Sequence, residues 1–143
     1  REWLDKVTKK NPDFKIFAIE GNHDLFKVNS FDNLQKGWVS MFSSTLSQKS
    51  PIVILGPDTP FACIDENIFV LGIPYIDQNK DLGKALKNIN FIPGAKHILL
   101  LHTDYPGAKD TDGRVVDSSE NINMNMLNRF DLVLCGHIQD EVL

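Results

Sequence analysis

Three short stretches of this sequence carry residues able to do chemistry together. Gly21-Asn22-His23-Asp24 follows directly on the apolar run Ile16-Phe17-Ala18-Ile19. His102 follows Ile98-Leu99-Leu100-Leu101, and His137 follows Leu132-Val133-Leu134-Cys135-Gly136. An amide oxygen ligates hard or borderline cations, and an imidazole ligates metals or carries a proton near neutral pH. Each stretch alone has a bland explanation: Gly and Asn tolerate the backbone angles of a strand-to-loop turn, and a buried His can simply bond to backbone. The chain has 4 histidines, however, and three of them stand at or just past the end of an apolar run. Open α/β folds place their sites at the carboxyl ends of strands, so a shared cluster is the expectation.

This order of motifs resembles the later part of the calcineurin-like metallophosphoesterase superfamily, and within it most resembles the SbcD-type DNA-repair nucleases and their phage relatives. The likeness rests on GNHD at 21 to 24, LLLH at 99 to 102 and LCGHIQ at 134 to 139, and it runs along nearly the whole chain. It implies an α/β fold: a metallophosphoesterase-like mixed β-sandwich flanked by helices. It also implies hydrolysis of phosphodiester bonds with two divalent metal ions, manganese first and iron or zinc as alternatives. By resemblance Asn22, His102 and His137 hold the second metal, and Gln139 stands at a ligand position of the first. Asn22 and His23 meet the phosphate, and His23 acts as acid or transition-state donor without ligating. DNA is the implied partner, beside an SbcC-like ATPase subunit, with a homodimer allowed, no membrane association and a cytoplasmic location.

The departures from the family pattern are equally specific. The family opens with Asp-x-His and Gly-Asp-x-x-Asp, and neither motif occurs here. Residues 1–143 are therefore expected to form a single partial domain whose N-terminal strands are missing, and to be inactive by themselves. The family's closing Gly-His-x-His is Gly136-His137-Ile138-Gln139 in this chain, a neutral amide where a second imidazole is expected. An amide oxygen is a weaker ligand than imidazole toward transition metals, so the first metal site should bind less tightly. Asp140 is placed to compensate.

Composition bounds these readings. With 143 residues and 42% hydrophobic content the chain suffices for one core. A net charge of -4 gives no whole-chain basic footprint for nucleic acid. Metals can supply that positive charge instead. Cys63 and Cys135 each sit inside an apolar run with no Cys-x-x-Cys spacing, which predicts two buried free thiols.

The elements that must position the motifs follow from periodicity. Trp3, Leu4 and Val7 predict a helix ending at Asn11-Pro12, and Leu34, Trp38, Val39 and Phe42 predict another. The runs 52–55, 61–64 and 68–71 predict strands, the last two as a hairpin across Asp65-Glu66-Asn67. Leu82, Ala85, Leu86 and Ile89 predict an amphipathic helix, and Ile122, Met126, Leu127 and Phe130 a helix face. His97, five residues before His102, falls on the opposite pleat and has no expected catalytic role. The polar stretch 103–119 is expected to be a loop at the substrate edge or a solvated insertion; Asp110 and Asp112 do not complete a calcium-binding pattern. Two function classes stay open: a fragment of a metal-dependent phosphodiesterase, read as a DNA exonuclease or endonuclease, and a non-catalytic phosphate- or protein-binding module on the same scaffold.

Overall fold

A computed structural model describes residues 2–21, 25–28, 37–40, 51–56, 59–75, 79–103, 107, 109, 112–115, 122 and 124–136, without the side chains of 25–28, 37–40 and 79–81. The chain is a mixed α/β structure. Helix α1 spans Glu2–Lys10, with Glu2 and Asp5 in its first turn and Lys9 and Lys10 in its last. That arrangement complements the helix dipole. The helix ends where Asn11 N–H donates to Val7 O, just before Pro12. It buries no residue, and Trp3 packs edge-on against Phe14.

Strand β1 (Ile16–Ala18) pairs in parallel with β4 (Ile52–Ile54). Strands β2 (Leu25–Val28) and β3 (Gly37–Ser40) form an antiparallel pair. The pairing corrects the helix expected across residues 34–42. Gly37 is a poor residue for a helix interior, and Trp38 and Val39 suit a strand once 25–28 offers a ladder partner.

The main sheet has the order β5-β6-β7-β8, formed by Phe61–Asp65, Ile68–Ile73, Lys96–His102 and Leu132–Gly136. Strands β5 and β6 are the expected hairpin, and β6, β7 and β8 run parallel. Helix α2 (Asn79–Lys87) links β6 to β7, and the short α3 (Met124–Leu127) precedes β8. Alternation along β7 separates the two faces of the sheet: His97, Leu99 and Leu101 are buried, whereas Ile98, Leu100 and His102 are half-buried.

The buried face carries the core. Ile73, Leu99 and Leu101 of the sheet pack with Leu82 and Leu86 of α2 and with Ile122, Leu127 and Phe130. Each fully buried Leu contributes about 1.5–3 kcal/mol, enough for Leu82 and Leu86 to hold a nine-residue helix that could not persist alone. On the other face Gly72 lets the strand pair β1–β4 approach closely, because a Cβ there would run into Leu55 and Ile19. Leu55 N–H donates to Ala18 O at 2.8 Å, extending the β1–β4 pair, and Gly72 N–H to Pro60 O at 3.0 Å, extending the β5–β6 pair.

Both cysteines are free and exposed, which corrects the expectation of buried thiols. They lie on β5 and β8, the two outer strands of the sheet, where an apolar neighbourhood in sequence does not bring cover from both sides. Within the polar stretch after β7, Lys109 and Val115 form an isolated antiparallel bridge, flanked by Gly107 and Gly113 at φ 86° and 76°. Those left-handed turns favour glycine. No described helix is long and apolar enough to cross a membrane.

Candidate functional site

Three chain segments meet at the His102 imidazole, the last residue of β7. The first is the exit of β1. A Cβ placed on Gly21 would stand 2.7 Å from His102 Cε1, 3.0 Å from Nε2 and 3.1 Å from Nδ1. Those near-equal distances put the Gly21 backbone over the face of the ring at its Cε1 corner. The second is the exit of β8, where Gly136 is the register partner of His102 and a Cβ on it would lie 3.4 Å from Nδ1. The third is the exit of β6: the Tyr75 ring meets the imidazole edge-to-face, with centroids 6.2 Å apart at 79°. Tyr75 N–H also donates to Glu20 O at 2.8 Å, locking the exits of β6 and β1 to each other.

Parallel strands explain the convergence. β6, β7 and β8 run the same way, so their carboxyl ends emerge at one edge of the sheet, and the close packing at Gly72 brings the end of β1 to that edge. Gly21 is buried, and it is not among the described glycines with positive φ. A close approach, not an unusual backbone angle, is what calls for glycine there.

Of the residues expected to act, His102 is described and is half-buried at this junction. Asn22, His23, His137, Gln139 and Asp140 lie outside the described residues, as do Asp24, Asp104, Asp110 and Asp117. Gly21 opens the GNHD motif and Gly136 the GH motif. The described part of each motif thus ends against one imidazole. Among the described residues no group of three or more His, Cys, Asp or Glu forms a metal cluster.

His97 behaves as its pleat predicts. It is 4% exposed, stacked on Phe69 at 5.9 Å and edge-on to Phe91 at 4.9 Å. Its Nε2 accepts from Ile92 N–H at 3.1 Å, which assigns the ring proton to Nδ1. Asp131 anchors the same corner: Oδ2 accepts from His97 N–H at 2.8 Å, Oδ1 from Lys96 Nζ at 2.9 Å, and Asp131 N–H donates to His97 O at 2.9 Å. The Lys96 bond, then the His97 N–H, holds the Asp131 carboxyl below its ordinary value; Asp131 in turn raises the Lys96 ammonium. This is a clamp between the starts of β7 and β8, at the opposite end of the strand from His102.

A cleft of about 590 Å³ lies along β8, lined by Met124, Leu127, Val133 and Cys135 among others. Val133 and Cys135 pair with Leu99 and Leu101, so this wall belongs to the pleat facing away from His102. Although Cys135 is exposed as a residue, desolvation by the surrounding chain pushes its thiol up from the ordinary value. The thiol is therefore less nucleophilic than a solvated one.

Sequence reasoning missed Tyr75. The signal was present: Tyr75 follows Pro74 at the end of the apolar run 68–73, the same strand-end position that singled out His102 and His137. No family model, curated protein or solved structure matches this chain.

Proposed function

We propose that this chain is part of a metal-dependent phosphodiesterase of the calcineurin-like metallophosphoesterase type, acting on DNA in the manner of the SbcD-like nucleases. The observation that carries the reading is the packing of both Gly21 and Gly136 on the His102 imidazole. Two motifs that sequence places far apart, GNHD and GH, have their glycines on the ring of the third.

The donor set fits a divalent metal. The Asn22 amide oxygen and the imidazoles of His102 and His137 would hold a borderline cation such as Mn, Fe or Zn as the second metal, with Gln139 at a ligand position of the first. Bound metals would neutralise the phosphodiester and make a water nucleophilic near pH 7. His23 would hydrogen-bond the phosphate and give its proton toward the leaving oxygen. The row of Leu132 and Leu134, 47% and 51% exposed on the His102 face of β8, supports a sandwich fold, since a second layer would cover such an apolar face.

The test compares His23→Ala with His137→Ala in the intact protein, following hydrolysis of linear duplex DNA and of a small chromogenic diester. His137→Ala should lower Mn affinity, and excess Mn should partly restore the rate. His23→Ala should cut turnover by roughly 10²–10⁴ without rescue at any Mn concentration. Equal metal loss in both variants would refute the assignment of His23 as an acid. Gln139 favours a second reading, a phosphate- or protein-binding module with an incomplete metal set; phosphate binding without hydrolysis in the intact protein would select it.

A further inference from the structure

We propose that His97 is a pH-sensitive latch: its neutral ring holds the loop between α2 and β7 against the sheet, and uptake of a second proton releases that loop. The inference stands apart from the metal reading, because His97 lies at the opposite end of β7 from His102. Residues 88–95 carry the chain from α2 to β7. Ile92, Pro93 and Gly94 are exposed, and the tip turns on Ala95 N–H donating to Ile92 O at 3.1 Å, with Gly94 at φ 80°. This exposed turn is fastened to the sheet through Ile92 N–H, which donates to His97 Nε2 at 3.1 Å. Beside that bond Phe91 packs edge-on against both His97 and Phe130, with centroids 4.9 Å away in each case, and the Arg129 guanidinium lies 4.4 Å over the Phe91 ring. The loop thereby joins the start of β7 to the turn between α3 and β8.

The chemistry of imidazole makes this fastening conditional. A neutral ring has one nitrogen that accepts, whereas an imidazolium carries N–H on both nitrogens and accepts nothing. A proton on Nε2 would face the Ile92 N–H across 3.1 Å, so the closed loop and the charged ring exclude each other. His97 is 4% exposed and stacked on Phe69, and the closed loop keeps water from it. Release lets water reach the charge, so proton uptake and loop opening favour each other. Asp131, on the turn after α3, attracts an imidazolium; its carboxyl is held below the ordinary value and stays ionised. Lys96 on β7 itself and Arg129 behind Phe91 repel it. Asp65 shares the register row of Lys96 across Ile68, Glu66 follows it in the hairpin turn, and Lys84 and Lys87 close α2 where the loop begins. These last four are exposed, where solvent and salt screen them.

The experiment follows the intact protein by NMR from about pH 8 to about pH 5, the span over which an imidazole ordinarily changes charge. The ring nitrogens of His97 report its tautomer and charge. Hydrogen exchange, corrected for the intrinsic effect of pH on the exchange rate, reports the protection of the Ile92 amide. The neutral ring should carry its proton on Nδ1. Ile92 protection should fall as His97 gains charge, by up to about tenfold per pH unit, the slope of one proton bound on release. The Leu55 amide, bonded to Ala18 O in the other layer, should keep its protection throughout. His97→Gln offers an acceptor that does not titrate and should hold Ile92 protection constant with pH; a wild-type pH dependence in that variant would overturn the inference. Three results from the wild-type chain would do the same without any variant having to fold: a neutral ring protonated on Nε2, a ring that stays neutral to the acid end of the range, or an Ile92 amide whose protection ignores the charging of His97.

Discussion

Replacing Gly21 by Ala adds one methyl group, and the structure states what that methyl meets. It would lie 2.7 Å from His102 Cε1, where ordinary van der Waals contact begins at 3.4 Å. The deficit cannot be relieved by small adjustments in the plane of the ring, because Nε2 and Nδ1 are also within 3.1 Å. Either the imidazole turns away from Tyr75 and Gly136, or the exit of β1 lifts and strains the Tyr75–Glu20 bond. Overpacking of this kind costs about 1–3 kcal/mol. With a urea slope of about 2 kcal/mol/M, the unfolding midpoint should fall by roughly 0.5–1.5 M. Gly136→Ala is the matched control: its methyl would sit 3.4 Å from Nδ1, in ordinary contact, and should change stability little. The decisive variant is Gly21→Ala combined with His102→Ala. Removing the ring gives the methyl room, so the double variant should be more stable than the sum of the single effects predicts. Additive losses, or a neutral Gly21→Ala with an unmoved His102 resonance, would refute the packing from which the site is built.

Gly72→Ala should destabilise more strongly than Gly21→Ala, because its methyl collides with the buried Leu55 and with Ile19 and not with the half-buried tip of one ring; urea unfolding of the two variants side by side checks the order. His97→Phe preserves the aromatic stack but leaves Ile92 N–H without its acceptor, and should cost about 1–3 kcal/mol in the same assay. Because the folded Asp131 carboxyl is held below its ordinary value, its stabilisation is present above the usual carboxylate range and lost as pH falls through the folded value. Unfolding midpoints measured from pH 7 downward should therefore differ between wild type and Asp131→Asn at neutral pH and converge in acid; a constant gap would refute the clamp.

Much of the fold could be read from the sequence because its elements are locally marked. Strands β4, β6, β7 and β8 are continuous apolar runs bounded by Gly, Pro or charged turns, and α2 shows its face through Leu82, Ala85 and Leu86. The misreading of 34–42 has a clear cause: four apolar positions at helical spacing carry no information about a ladder partner, and residues 25–28 supply one. Cys63 and Cys135 were misplaced for a related reason, since a strand's position at the edge of a sheet is decided by topology. At the candidate site, the strand-end pattern singled out His102, which stands at the junction, but could not show that Gly21 lies on the imidazole, a contact spanning 81 positions of sequence that depends on Gly72 admitting the β1–β4 layer. The pleat of His97 was legible from parity alone, whereas its bond from Ile92 N–H required the turn geometry of 91–97.

In the proposed function, the ends of β1, β7 and β8 gather a metal-binding set around His102. Its most direct test is anomalous diffraction from crystals of the intact protein grown with Mn²⁺. The account predicts a peak about 2.0–2.2 Å from an imidazole nitrogen of His102, with Asn22 and His137 completing the contact and all three side chains converging within about 5 Å of one point. Full Mn²⁺ occupancy elsewhere with none at His102, or His137 found on the opposite face of the sheet, would contradict it.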